Sequence, residues 1–458
     1  MLSCTNGDVV DYLQCQVCHT PSLTGDVHDS CCNYESVNVA TTRHFHPILQ
    51  KLSSLTFFRY FKVNLNRECP YWKEEGMCAS RECAVCLCED DEIPSVWKSQ
   101  DEYENEYDKS SMSSLEPCAD QLGTSDLSKI NTSSKLENIV PWSTGPVDSL
   151  YMDTVMNDPE STYINLLDNR ERYTGYAGHL AERIWKAIHE ENCFVKHIGN
   201  CYEERVFYRL ISGFQTSVNT HIALEHLNEK EVWSRNINLY VLRVGRHMER
   251  IENLYFTYLF VMRAVVKAQG TLLTYTYETG NEAEDQQVYE LLSELLHITT
   301  SSACSAVEEQ AVLSGFDESR LFFVETEGVT PEAYHAEKVL KFALEKQFKA
   351  HFQNITRIMD CVTCEKCRLW GKIQVLGIGT AIKILLADDD NDEPIHLTRN
   401  EVIALINVLT RLSESVDAVR IFRDLEFDQA VYEYVRNMIL AIMVLMFTWW
   451  VYKRMTRR

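Results

Sequence analysis

The sequence predicts a mainly α-helical protein built as one large domain, and three stretches carry that prediction. Residues 206–227 set Phe207, Ile211, Phe214, Val218 and Ile222 three or four apart, an apolar stripe at the helical period. Residues 339–359 repeat the pattern with Leu344, Phe348, Phe352, Ile355 and Met359. Thr398-Arg-Asn-Glu401 has the spacing of a capping box and opens a helix through Val402, Leu405, Ile406, Leu409 and Leu412. At 458 residues the chain is long enough to bury a large core.

In chain order, residues 1–45 form a polar, cysteine-rich segment with Cys15, Cys18, Cys31 and Cys32. Residues 45–65 are apolar and aromatic, a helix followed by the first packed segment. Cys69, Cys78, Cys83, Cys86 and Cys88 then fall within twenty residues, and 89–150 is acidic and serine-rich, expected as a flexible loop inside a domain spanning 46–430. Residues 181–190 read as helix before Cys193 and Cys201, a possible bridge. Within 206–227, Ser212, Gln215 and Asn219 make a polar stripe, for which solvation is the usual reason. An apolar helix is expected over 253–266, a polar connector over 270–284, helix again over 288–298 and loop over 315–332. Residues 339–359 lead into Cys361-Val-Thr-Cys364-Glu-Lys-Cys367, whose spacing would put neighbouring sulfurs on one side of a helical turn. The apolar stretch 368–381 carries Gly371, Gly377 and Gly379, as if packed against something flat.

Charge and cysteine content narrow the chemistry. With 44 basic and 67 acidic residues the net charge is −23, which argues against a nucleic-acid partner. Seventeen cysteines fit a disulfide-forming compartment. Asn131-Thr-Ser133 and Asn354-Ile-Thr356 fit the glycosylation pattern. No signal-length apolar run occurs in the first forty residues. Near the other end, 438–452 is uncharged and mostly apolar, with Trp449, Trp450 and Tyr452 beside Lys453, Arg454, Arg457 and Arg458. Such aromatics next to a basic cluster are expected of a membrane anchor, over 437–453, with the preceding domain in the lumen. A buried terminal helix is the alternative.

The cysteines admit three readings. Cys78, Cys83, Cys86 and Cys88 could bind a metal, but spacings of five, three and two do not match paired zinc ligands, and no metal is expected. Purely structural disulfides would close short loops, which restrict the unfolded chain least. A relay uses close pairs best, since thiolate attack on a disulfide passes two electrons from a mobile pair to a fixed one. An organic cofactor would then accept them. Gly377-Ile-Gly379-Thr-Ala381 lacks the strand context of a dinucleotide fingerprint.

At these residues the chain resembles the endoplasmic reticulum oxidoreductins, flavin-dependent thiol oxidases that reoxidise protein disulfide isomerase. The resemblance rests on Cys69-Pro-Tyr-Trp with Cys78 and Cys83, Glu171-Arg-Tyr-Thr-Gly-Tyr176, Glu191-Asn-Cys-Phe194 and Phe207-Tyr-Arg-Leu-Ile-Ser-Gly213. It continues through Asn253-Leu-Tyr-Phe256, the run from Asn354 to Gly371, and His396-Leu-Thr-Arg399, in order over about two thirds of the chain.

The resemblance implies a single helical FAD-binding domain. Cys364–Cys367 would be the disulfide at the flavin, with Cys367 the nearer, and Cys364 would exchange with the shuttle pair Cys78–Cys83. Electrons would come from the isomerase, or a similar thioredoxin-fold protein, and pass to molecular oxygen, giving hydrogen peroxide. Cys69 would pair with Cys361 and Cys193 with Cys201; loop-closure entropy assigns the first roughly 5–6 kcal/mol as an upper value. Flavin contacts would be Arg172, Thr174, Trp185, Ser212, Gln215, Arg250 and Arg263, the two last arginines on the pyrophosphate. Gln215 stands where the family carries histidine, and an amide does not titrate near neutral pH. Cys78–Cys118 and Cys83–Cys88 are expected as an off state. A cysteine-rich, membrane-tethered binding protein that kept the fold and lost turnover is the other reading.

Overall fold

A computed structural model describes residues 34–69, 71, 83–89, 91–98, 160–172, 184–185, 187–188, 202–228, 230, 232–301, 348, 351–387 and 395–456. Tyr34–Ala40 (α1) runs through a π-helical turn, Thr41–Phe45, straight into His46–Ser54 (α2), so a boundary at 45/46 falls inside one helical run. Leu55 turns extended and ends α2, and after one more helical turn, Thr56–Arg59, the chain becomes Tyr60–Val63 (β1). All four residues of β1 are buried, and it pairs antiparallel with Thr162–Asn165 (β2), Tyr60 opposite Asn165.

Five longer helices carry the rest: Tyr202–Leu224 (α3), Met248–Lys267 (α4), Glu282–Ser301 (α5), Glu365–Leu385 (α6) and Arg399–Met455 (α7). The helix class expected from periodicity holds; α4 covers the apolar helix read over 253–266, while α3 ends at Leu224, short of 227, and His226–Leu227 is a short strand. α3 packs on α4, and α6 packs on α4 and α7. The polar connector expected over 270–284 begins instead with a helix, Gln269–Thr274, whose Leu272 is fully buried.

The glycines of 368–381 have a structural reason. A Cβ on Gly377 would stand 2.5 Å from the Ala404 carbonyl oxygen and from Val408 Cγ1, so α6 approaches the backbone of α7 as only a glycine permits. The flat surface is thus a helix. The capping box forms as its spacing predicts: Glu401 N donates to Thr398 Oγ1 at 3.3 Å, and Thr398 N donates to the Glu401 carboxylate at 2.8 Å.

The acidic loop expected over 89–150 is pinned at its start. Ile93 and Trp97 are buried, and the Arg399 guanidinium lies 3.8 Å over the Trp97 ring while donating to the Tyr60 carbonyl at 2.9 Å. Residues 99–159 lie outside the described residues, as do the N-terminal cysteines. Asn354, offered as a glycosylation acceptor, is buried, which removes it as an accessible site; Asn131 is outside the described residues.

α7 differs most from expectation. The helix opened by the capping box and the apolar segment 438–452 are one uninterrupted helix of 57 residues, about 85 Å long. It is buried as far as Phe422 and, beyond Glu426, almost wholly exposed. Gly377→Ala is expected to cost about 1–3 kcal/mol of unfolding free energy, read as a lower denaturation midpoint. An unchanged midpoint would mean that α6 and α7 do not meet there.

Candidate thiol-exchange site

The three cysteines expected on one helical turn are separated by a break. Met359–Cys361 is a 3₁₀ turn, Val362 is extended, and Cys364 is the N-cap of α6. Threonine at 363 and the extended N-cap stop the preceding helix before the new one starts. Each sulfur therefore faces a different partner. Cys361 is bonded to Cys69, a closure over 292 residues with Cα atoms 4.4 Å apart. Cys364 Sγ accepts the Cys367 N–H at 3.4 Å, as a capping side chain does, and Cys367 Sγ points at the Arg172 carbonyl, 3.9 Å away. Cys364 and Cys367 are both buried.

The segment 83–89 lies extended on the N-terminus of α6 and is held largely through its backbone. Lys366 N donates to the Cys83 carbonyl at 3.2 Å, and Val85 N donates to the Glu365 carboxylate at 2.9 Å. Asn169 imitates a strand partner: its Oδ1 accepts from Cys86 N at 2.7 Å and its Nδ2 donates to the Cys86 carbonyl at 2.8 Å. Its own carbonyl accepts from Trp370 Nε1 at 2.8 Å, and Cys88 N donates to the Tyr163 carbonyl at 3.3 Å. These contacts bury Cys83 at the N-terminus of α6, where Cys364 is the N-cap.

The neighbouring Cys367 side chain and burial push the Cys364 thiol well above its ordinary pKa, against smaller lowerings by the Cys367 N–H and by Cys83. A sulfur that resists ionisation is the poorer leaving group. Burial, with the Glu92 charge second, pushes the Cys88 thiol up to about 11.

The polar stripe of α3 is not solvated. Ser212, Gln215 and Asn219 are all buried. Asn253 Nδ2 donates to Ser212 Oγ at 3.0 Å, while Asn253 Oδ1 accepts from Arg209 Nε at 3.1 Å. Arg243, in the π turn Val241–Gly245, donates to Asn219 Oδ1, and Arg250 donates to the Arg243 carbonyl. The Gln215 amide oxygen is buried with no hydrogen-bond partner. Trp185 has its ring 6.5 Å from that of Phe214, and Arg263 is half-buried near the far end of α4. Arg172 stands apart from this stripe, its guanidinium 4.4 Å over the Trp233 ring. Cys78, Thr174, Cys118, Cys193 and Cys201 lie outside the described residues, while Cys83 and Cys88 are separate thiols.

A family model for endoplasmic reticulum oxidoreductin 1 matches residues 44–419. The chain belongs to the endoplasmic reticulum oxidoreductin 1 family. It is 42% identical over 412 residues to endoplasmic reticulum oxidoreductin-2 of Arabidopsis thaliana, covering 88% of this chain and 80% of that protein. It is 34% identical to human ERO1-like protein alpha, covering 88% and 91% of the two. The solved structure of Ero1p superposes with a TM-score of 0.60 at 26% identity, covering 87% of this chain and 99% of the other. A mutant of S. cerevisiae Ero1p gives a TM-score of 0.58 at the same identity and coverage.

Within this oxidoreductin, motif reading missed Asn169 and Glu365 as the groups that seat the cysteine segment, since neither belongs to a periodic pattern. Asn253, which opens the Asn-Leu-Tyr-Phe motif, is the partner of Ser212. The seating makes a prediction about the reduced protein. Cys86 is exposed, so iodoacetamide is expected to label Cys86 before Cys83 or Cys88 at pH 8, with Cys88 labelling still rising towards pH 11. Peptide mapping that found Cys83 labelled first would contradict the docked segment.

Proposed function

We propose that the chain is a thiol oxidase of the endoplasmic reticulum that accepts electrons from a reduced protein disulfide isomerase or a similar thioredoxin-fold protein. The observation that carries this reading is the seating of buried Cys83 on the N-terminus of α6, its carbonyl accepting from Lys366 N at 3.2 Å, where Cys364 is the N-cap and Cys367 follows in the first turn. Ero1p is described as a source of disulfide bonds for oxidative protein folding in the cell. In the forward exchange a Cys83 thiolate attacks Cys364 Sγ, the Cys364–Cys367 bond breaks, and Cys367 departs with the electron pair. Cys78 then attacks Cys83 in the mixed disulfide, restoring Cys78–Cys83 and releasing Cys364. Two electrons have moved inward, and no oxidant is consumed in the exchange.

The residues present fit FAD. Ser212 and the unpartnered Gln215 oxygen offer polar groups on α3, Trp185 a flat indole beside Phe214, and Arg250 and Arg263 guanidinium forks suited to phosphate. Thr174 and Arg172 complete the set by family position. When bound, FAD supplies the two-electron acceptor of the Cys364–Cys367 dithiol and passes the pair to molecular oxygen, giving hydrogen peroxide. The buried setting of Ser212, Asn253 and Arg250 excludes water from that side, and Gln215 orients without changing its charge.

The exposed end of α7 supports a membrane anchor over 437–453, with the catalytic domain on the lumenal side. An 18-residue window of this helix has mean hydropathy 1.5 and is 0% buried, which suffices by length and composition to cross a bilayer. Lys453 and Arg454 stand over Trp449 and Trp450 at its end, the pattern of an interface.

The test is oxygen uptake by the purified protein with a reduced isomerase-type substrate, with a visible spectrum of each variant. Wild type is expected to be yellow and active, and Cys364→Ala and Cys83→Ala yellow and inactive towards the protein substrate. Full turnover by Cys83→Ala would mean that the shuttle is another pair. A yellow wild type without thiol-dependent uptake would favour the binding-protein reading.

A further inference from the structure

A second cluster of titratable groups lies on the opposite face of α3 from the Ser212 stripe. Glu171, deeply buried, has Oε2 at 2.6 Å from Arg411 Nε, and its Oε1 accepts from Gln374 Nε2 at 3.0 Å. Arg411 serves a second carboxylate, Glu414, at 2.5 Å, and lies 4.4 Å over the Trp370 ring. His221 Nε2 is 3.0 Å from Ser415 Oγ, with the Ser217 hydroxyl 2.7 Å further along. A cavity of about 200 Å³ opens beside Glu171, His221, Arg411 and Glu414, room for several waters. From α2 it is faced by His46, and from α7 by Asp417; Arg170, paired at 3.5 Å with Glu225 just past the end of α3, and Arg172 complete its charged rim.

This cluster touches the thiol site through two routes. Glu171 is covalently next to Arg172, whose carbonyl faces Cys367 Sγ. Gln374 and Trp370 lie seven and three residues after Cys367 in α6, so all three share one helical stripe about 10 Å long. Two carboxylates share one guanidinium, an arrangement in which one of them holds a proton more readily than an isolated acid would.

We propose that Glu171, with Arg411, Glu414 and His221, is the proton outlet of the Cys364–Cys367 dithiol, exchanging protons with water in this cavity. The proposal rests on the oxidase reading above. Each oxidation of the dithiol forms one S–S bond and releases two electrons and two protons; the flavin takes the electrons. One of the two protons passes to the cluster and the cavity water, the other stays with the electron pair on its acceptor, and both are consumed again as oxygen takes up two electrons and two protons. Burial holds the Glu171 carboxyl above the usual carboxylate range, against the Arg411 and His221 charges, so a proton can rest there. Arg411 and His221 hold Glu414 below that range despite its burial, which leaves Glu171 as the proton-holding member. Glu171 acts through Arg172, Gln374 and water, and is a positioning residue for the proton.

The experiment compares the full-length holoprotein with Glu171→Gln. Turnover is expected to fall roughly 10–100-fold, to depend more steeply on pH, and to recover several-fold on adding imidazole, which a purely structural loss would not do. A second readout needs neither flavin nor turnover: the pH profile of Cys367 alkylation in Cys364→Ala, with and without Glu171→Gln. Two linked steps are expected with Glu171 present and a single step without it. A profile unchanged by Glu171→Gln, or a lost turnover that imidazole does not restore, overturns the outlet. If wild type shows no oxygen uptake, the oxidase reading fails, while the alkylation profiles still decide the proton coupling.

Discussion

The docking of one extended segment on the N-terminus of α6 is the constraint on which the site depends. Cys83, Val85, Cys86 and Cys88 are fixed through peptide groups by Lys366, Glu365, Asn169 and Tyr163. Backbone bonds hold a segment in register whatever its side chains do, so the position of Cys83 is set without using its sulfur. The partner sulfur is fixed just as firmly, because Cys364 is the N-cap of a helix whose next turns are buried against α4 and α7. A break of two residues, Val362 and Thr363, before that cap turns Cys361 away to Cys69, giving one cysteine a structural bond and leaving two for chemistry.

The bundle around the site buries many polar side chains, and several of them pair across elements. Ser212 with Asn253, Lys372 with Asp360 at 2.5 Å, and Glu171 with Arg411 each join separate elements. Such pairs are costly to desolvate and add little net stability, but losing one partner would leave an uncompensated group in the core. They therefore fix which helix face meets which. The exception on α3 is the Gln215 oxygen, and it lies on the stripe assigned to the cofactor.

Much of this was legible in the sequence. Period and capping chemistry located α3, α4 and the start of α7, because those signals are local. Three glycines in 368–381 indicated close packing, though not that the partner was another helix, since Ala404 and Val408 lie about thirty residues further on. Helical spacing misplaced Cys361, Cys364 and Cys367 on one turn, because a cysteine N-cap preceded by extended Val362 carries no strong breaker. Solvation was the wrong reason for the Ser212 stripe: its polar partners on α4 and the π turn are non-local. Asn169 escaped notice for the same reason, being a long-range bridge to Cys86 and Trp370 with no motif of its own.

The most direct test of the account traps the exchange itself. Cys78→Ala with Cys367→Ala leaves Cys83 and Cys364 without their resolving partners, and mild oxidation should join them. Peptide mapping under non-reducing conditions is predicted to find a Cys83–Cys364 peptide as the main new cross-link. A cross-link from Cys364 to Cys86 or Cys88 instead would contradict the docked segment and the electron path built on it.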